Sequence, residues 1–221
     1  MIHIVSALYG DFHPLETFFP DAACIVAHEP AELPEGKGIL ILHGGADIHP
    51  SLYGAPIDGS HVQANPSRRD TAEVSLFHRA VELGYTILGI CRGAQLACAL
   101  SGGKLIQDVG GHTFGDHLVE LRNGRRIMTN SIHHQMMYPW GLPEDEIELL
   151  GWAAPPRSAR YRGLSTAEKL LLDDLDNRHE PEIVWFHKSK CLAVQGHPEM
   201  LEANSDLNLF VYSELKHRMD A

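Results

Sequence analysis

The chain has 221 residues and is 44% hydrophobic, enough to bury the core of one globular domain and too much for a disordered or fibrous chain. Lys and Arg number 18 against 29 Asp and Glu, a formal net charge of -11, so most of the surface repels a phosphate backbone and nucleic acid is excluded as a partner. No stretch approaches the ~20 apolar residues that span a bilayer, no basic segment precedes the short N-terminal apolar run, and Cys24, Cys91, Cys98 and Cys191 are too scattered for a disulfide framework; a cytoplasmic protein with free thiols is expected.

In chain order, short apolar runs predict buried strands at residues 2–7, 23–27 and 38–42. The third runs into Gly44-Gly45, where the lack of side chains lets the backbone approach a ligand at the carboxyl edge of a sheet, the edge at which open α/β folds bind. Taken alone, the pair reads equally well as an ordinary loop. Residues 70–83 place Val74, Phe77, Ala80 and Val81 at helical spacing before Gly84, which predicts a crossover helix. Asp70 and Glu73 at its start read as capping charge, not as catalysts. A fourth strand is predicted at 86–90 and a helix from Cys91 or Arg92 through Leu100 to Gly102-Gly103. This alternation predicts a three-layer α/β/α domain with a mostly parallel central sheet.

Between that strand and helix, Gly89-Ile90-Cys91-Arg92-Gly93 fits the Gly-x-nucleophile-x-Gly corner, in which a strained turn projects one side chain outward. A thiol there sits at a helix N-terminus, where the dipole and free N–H groups favour the thiolate, the reactive form. The competing reading is a small buried cysteine, a common situation. Backbone N–H groups of Gly45 and Arg92 would together form a two-donor oxyanion hole.

In the second half, 118–121 and 126–129 flank Asn123-Gly124, a tight-turn dipeptide, and predict a hairpin that extends the sheet with antiparallel strands. Further strands are expected at 147–152, 183–186 and 191–195, and a closing helix at 204–219. Residues 155–181 open on Pro155-Pro156, carry Arg157, Arg160 and Arg162, and offer a short helix at 166–175; they read as an insertion in a single domain, 1–221. In Gln195-Gly196-His197-Pro198-Glu199, Pro198 biases His197 toward extended backbone, so that His197 and Glu199, two apart, point the same way. With Cys91 they make a Cys–His–carboxylate set, in which His197 moves the proton and Glu199 holds its tautomer. His112, His117, His133 and His134 match no metal-ligand spacing, and the hairpin is expected to scatter them, so no metal site is expected.

The nucleophile corner, extending to Ala94-Gln95, and the His-Pro-Glu segment together resemble the class I glutamine amidotransferase-like superfamily, with its flavodoxin-like fold. Leu42-His43-Gly44-Gly45-Ala46-Asp47-Ile48-His49-Pro50 with Leu52-Tyr53-Gly54, Arg69-Asp70-Thr71-Ala72-Glu73, and Asn130-Ser131-Ile132-His133-His134-Gln135 are similar to segments of its γ-glutamyl hydrolase branch, peptidase family C26, which includes the hydrolases of γ-glutamyl-γ-aminobutyrate. The likeness spans roughly residues 40 to 200 and implies cleavage of the γ-glutamyl amide of glutamine or a γ-glutamyl-amine through a glutamyl thioester, with no cofactor. It also implies that Gly44, Gln95, Ser131, Ile132 and His133 face the substrate, although Gln95 reads nearly as well as an exposed helix position and the 131–134 segment as surface loop. Two alternatives stay open: a glutaminase subunit, since 221 residues leave no room for an acceptor-activating domain, and a non-catalytic binding protein. The first needs a synthetase partner; self-association is a further expectation. Gly196 stands where the family usually has a large residue, a departure expected to loosen the packing around His197 or to widen the pocket. The insertion has no family counterpart, and its arginines are expected to meet a distal carboxylate of the substrate.

Overall fold

The computed structural model describes residues 2–58, 61–165, 168 and 180–220. In chain order its elements are β1 (His3–Ala7), α1 (Leu15–Phe18), β2 (Ala23–Ala27), β3 (Gly38–Leu42), α2 (Arg68–Glu82), β4 (Thr86–Ile90), α3 (Arg92–Leu100), β5 (Lys104–Ile106), β6 (Asp108–Val109), β7 (Asp116–Leu121), β8 (Arg126–Asn130), β9 (Met136–Tyr138), β10 (Ile147–Ala153), β11 (Tyr161–Arg162), β12 (Pro181–Phe186), β13 (Cys191–Val194) and α4 (Asp206–Asp220). The main sheet runs β2-β1-β3-β4-β13-β12-β10-β7-β8. Its first five strands are mutually parallel, and the remaining four pair antiparallel, as the apolar runs and the Asn-Gly turn predict.

β3 and β4 are buried at every position, which is why their sequences are continuous apolar runs instead of alternating ones. Successive side chains pass to opposite faces. Val5, Leu40 and Ile87 pack with Leu76 and Phe77 of α2 and Leu96 of α3 on one side. Ile4, Ile39, Ile41 and Leu88 pack with Leu207, Val211 and Leu215 of α4 on the other. The three layers follow. Each fully buried Leu or Ile contributes about 1.5–3 kcal/mol, and truncating one such as Leu88 to Ala costs about 2–5 kcal/mol.

α2 begins two residues before the apolar periodicity predicts. The cause is polar: Ser67 Oγ accepts from Asp70 N–H at 3.0 Å and Asp70 Oδ2 accepts from Ser67 N–H at 2.8 Å, a reciprocal cap that sets the boundary ahead of the first core residue. The periodicity does not anticipate two small sheets, β5 with β9 and β6 with β11. The second pins the start of the 155–181 insertion to the segment before the β7–β8 hairpin. The short helix expected at 166–175 lies outside the described residues. Among the described residues no helix is long and apolar enough to cross a membrane, and all four cysteines are free thiols.

Candidate active site

β4 enters α3 through Cys91, whose φ of 50° and ψ of -106° are unfavourable for any residue with a Cβ. Such a conformation costs on the order of 1–3 kcal/mol and persists only where its surroundings enforce it. Here Cys91 N–H donates to the Val194 carbonyl at 2.7 Å and the Cys91 carbonyl accepts from Gln95 N–H at 3.0 Å. Gly93 lies so close to the end of β3 that a Cβ would collide with the Leu42 carbonyl, which locks the corner against the neighbouring strand.

His197 follows β13, and its Nδ1 lies 2.7 Å from Glu199 Oε1. The pair does not converge by strand alternation, as expected from the sequence. Pro198–Met200 form a single 3-10 turn, which curls the carboxylate back under the imidazole. Asn208 of α4 secures that turn by donating from Nδ2 to the Glu202 carbonyl at 2.9 Å and the Pro198 carbonyl at 3.1 Å. Asn130, at the end of β8, brackets His197: its Oδ1 accepts from His197 N–H at 2.7 Å and its Nδ2 donates to the His197 carbonyl at 3.0 Å. Gly196 permits this bracket. A Cβ there would collide with Thr129 Oγ1 and lie 3.2 Å from the Asn130 carbonyl, so the missing side chain tightens the packing around His197 instead of loosening it. Burial disfavours the His197 cation, but hydrogen bonding and charge from Cys91 and Glu199 outweigh it and raise the pKa to about 10.

Cys91, His197 and Glu199 open on a cleft of about 690 Å³. Gly44, Gly45 and Ile132 line it, as the sequence predicts, and so do Tyr9, Asp11, His43, Arg69 and Met200, which it did not single out. Gly45 has a φ of 143°, a conformation that a side chain strains. Arg69 is fixed by donating from Nη2 to the His43 carbonyl at 2.7 Å, by Glu73 at 2.9 Å and by stacking 4.8 Å over the Tyr9 ring. The Arg92 guanidinium is buried against Asp70 at 2.5 Å and against Glu73. As the first residue of α3, Arg92 has a backbone N–H with no acceptor inside the helix, beside Cys91. Asp70 and Glu73 are thus structural, as expected: Asp70 caps its own helix, and both anchor the elbow helix through Arg92.

The other residues expected to face substrate lie behind the cleft wall. Gln95 is buried and donates from Nε2 to the Gln135 carbonyl at 2.9 Å; Ser131 Oγ donates to the His112 carbonyl at 2.6 Å; His133 is buried with Nδ1 2.9 Å from the Gln135 carbonyl. The insertion arginines also point elsewhere. Arg157 donates to the Gly111 carbonyl at 2.6 Å and Arg160 meets Asp108 at 3.1 Å, and none of Arg157, Arg160 and Arg162 lines the cleft. Nor are the histidines scattered. The rings of His112 and His133 lie 4.8 Å apart and those of His112 and His117 5.2 Å apart, because the loop before β7 folds over the segment after β8. Burial lowers the His133 pKa to about 4; burial also opposes the His112 cation, but Glu180 and Glu182 prevail and raise it to about 9.

The Peptidase C26 family model matches residues 36–136. A Mycobacterium tuberculosis protein provisionally named a glutamine amidotransferase is 36% identical over 215 residues, covering 92% of this chain and 65% of that protein. The carbamoyl phosphate synthase small chain of Yersinia pseudotuberculosis is 24% identical over 204 residues, covering 89% of this chain and 42% of its own. The chain spans 29% to 51% of the length of three further curated relatives. Among solved structures, PurLQS from Thermotoga maritima superposes with a TM-score of 0.60 at 12% identity, over 97% of each chain. The likeness to glutamine amidotransferases read from the motifs, and the fold it implies, are therefore borne out.

Proposed function

We propose that the chain hydrolyses the side-chain amide of glutamine or of a γ-glutamyl-amine through Cys91. Sγ bonds to the amide carbon with the proton of the Cys91–His197 pair resting on His197, and the oxygen that gains charge lies between the N–H groups of Gly45 and Arg92. His197 then returns the proton to the leaving amine as the C–N bond breaks, leaving a glutamyl thioester. Water attacks that ester with His197 as base, releasing glutamate and restoring the thiol. Asp11 and Arg69 at the mouth offer opposite charges suited to the α-ammonium and α-carboxylate of a glutamyl group. The observation that carries this reading is the His197–Glu199 pair at 2.7 Å, sharing a cleft with a cysteine held on a strained strand-to-helix corner.

The test offers glutamine, γ-glutamyl-amines and poly-γ-glutamyl compounds, with mass detection of a Cys91 adduct. Turnover should fall by several orders of magnitude in Cys91→Ala, as when other nucleophiles acting in a triad are removed. Amine release at the wild-type rate by that variant would end the proposal. The 24% identity to a carbamoyl phosphate synthase small chain favours a second reading, in which the released ammonia is consumed by a partner synthetase. That reading requires weak activity from the chain alone, and efficient turnover of γ-glutamyl-amines without a partner would exclude it.

A further inference from the structure

Behind the cleft wall, three buried histidines converge on one carboxylate oxygen. Oε1 of Glu182, on β12, lies 3.3 Å from His112 Nδ1, 3.0 Å from His117 Nε2 and 3.8 Å from His133 Nε2. His112 is fully buried, Glu182 is 1% exposed, and His133 and His117 are 4% and 6% exposed. His112, His133 and Glu182 each offer a ligand atom within 4.8 Å of the others. Around a tetrahedral zinc ion with ligand distances of about 2.0–2.1 Å, neighbouring ligand atoms stand about 3.4 Å apart, and the three separations bracket that value.

Hydrogen bonds on the far sides of two rings fix which nitrogen is left over. His112 Nε2 donates to Glu180 Oε2 at 3.1 Å, and His133 Nδ1 donates to the Gln135 carbonyl at 2.9 Å. The other nitrogens, His112 Nδ1 and His133 Nε2, turn toward Glu182, and His112 Nδ1 must shed its proton for a metal to bind. Both atoms are buried without a hydrogen-bond partner, and so is Glu182 Oε2. Protons resolve this arrangement only in part. Glu182 Oε1 can accept from two of the imidazoles, but His133 Nε2 is beyond hydrogen-bond reach and its ring proton is already engaged on Nδ1. A cation placed among His112, His133 and Glu182 takes up both nitrogens and the carboxylate. Its charge also balances the carboxylate of Glu182, which is otherwise buried among imidazoles.

We propose that His112, His133 and Glu182 form a buried structural site for a divalent transition metal, zinc being favoured by the two-imidazole, one-carboxylate set. All three ligands are buried and the site does not open on the Cys91 cleft, so substrate does not reach it. Glu180 and the Gln135 carbonyl are the outer partners that orient metal-bound imidazoles. The ion ties the segment after β8, which carries Ile132 into the cleft and follows the Asn130 bracket, to β12 in the central sheet. This holds independently of the chemistry proposed for Cys91.

The test is titration of the chelator-stripped full chain with Co²⁺ and then Zn²⁺ against a chromophoric chelator. One equivalent of cobalt should bind with the intense visible absorption of a tetrahedral site, and zinc should displace it. Glu182→Gln and His112→Asn should abolish binding, and Glu180→Gln, which keeps all three ligands, should weaken it by about 10- to 100-fold. Cys91→Ser and His134→Ala should keep the equivalent, which separates this site from the Cys91–His197 pair and from the half-exposed group of Asp47, His61 and His134. If the ligand variants do not fold, the stripped wild-type chain decides, because its Tm should rise with added zinc. The proposal is overturned by a stripped wild-type chain that binds no cobalt, by a weak octahedral spectrum, or by binding that depends on Cys91 or His134.

Discussion

Replacing Asn130 with Ala tests whether the bracket around His197 matters for chemistry or only for the fold. The variant removes two hydrogen bonds, at 2.7 and 3.0 Å, and leaves both the N–H and the carbonyl of His197 without those partners. At about 1 kcal/mol each the loss is about 2 kcal/mol, which for a chain of this size lowers Tm by about 4–8 °C. The kinetic effect should exceed what stability explains. Asn130 fixes the backbone from which the imidazole hangs, and a misplacement of about 1 Å in a reacting group costs on the order of 100-fold in rate. Asn130 touches neither the cleft nor the thiol, so kcat should fall while KM stays near its wild-type value. Asn130→Asp restores the acceptor for His197 N–H but not the donor, and should recover part of the rate. The assay is steady-state glutaminase kinetics well below the variant's Tm, paired with a thermal melt. An Asn130→Ala protein that melts early but turns over at the wild-type kcat would refute a positioning role and leave Asn130 as a structural residue.

Three other outcomes follow from the same geometry. His197 owes its pKa of about 10 partly to Glu199, so removing that charge lowers it: Glu199→Gln should move the alkaline limb of the kcat profile to lower pH, and an unmoved limb would mean that another group titrates there. Arg92→Leu strips the buried partner from Asp70 and Glu73; a broken buried pair costs about 3–5 kcal/mol, and because Glu73 keeps Arg69 at 2.9 Å we expect the lower end, a Tm drop of about 6–12 °C in a melting experiment, with a drop under 2 °C counting against the network. Asp11 is exposed at the cleft mouth, so Asp11→Ala should raise KM for glutamine by only about 1.4- to 5-fold with kcat intact, and the increase should vanish for a substrate lacking the α-amino group.

The parts of the molecule that the sequence reveals are those whose physical demands are local. A strand buried on both faces must be an unbroken apolar run, so β3 and β4 declare themselves. A strained corner needs small neighbours within two residues, so Gly89 and Gly93 mark Cys91, and Gly124 with a φ of 82° marks the hairpin turn. β6 and β11, two residues each, are too short to carry a period, and they hold the insertion where its arginines brace the loop before β7 instead of reaching the cleft. Tyr9 and Asp11 escape notice for another reason: they follow β1 in irregular backbone, where no spacing rule assigns a direction to a side chain.

The residues that hold the site in place are hidden because their partners are remote. Asn130 meets His197 across 67 positions, His112 meets Glu180 across 68, His117 meets Glu182 across 65 and Gln95 meets Gln135 across 40. Periods of 2 and 3.6 residues register only near neighbours, so a polar residue that is buried because of a distant partner looks, in sequence, like one that is exposed. That is why Gln95 and His133 read as substrate contacts or surface positions, when the sheet order had already decided otherwise. β12 lies between β13, which delivers His197, and β10, which pairs with the hairpin carrying His117 and Asn130. Once strands so far apart in the chain are neighbours, the carboxylate of Glu182 must find donors or a cation among the side chains of the hairpin and its flanking loops, and histidines are what the chain supplies there. Burial that a local pattern cannot explain therefore points to the long-range partner, and here it leads from an unplaced group of histidines to the segments that hold His197.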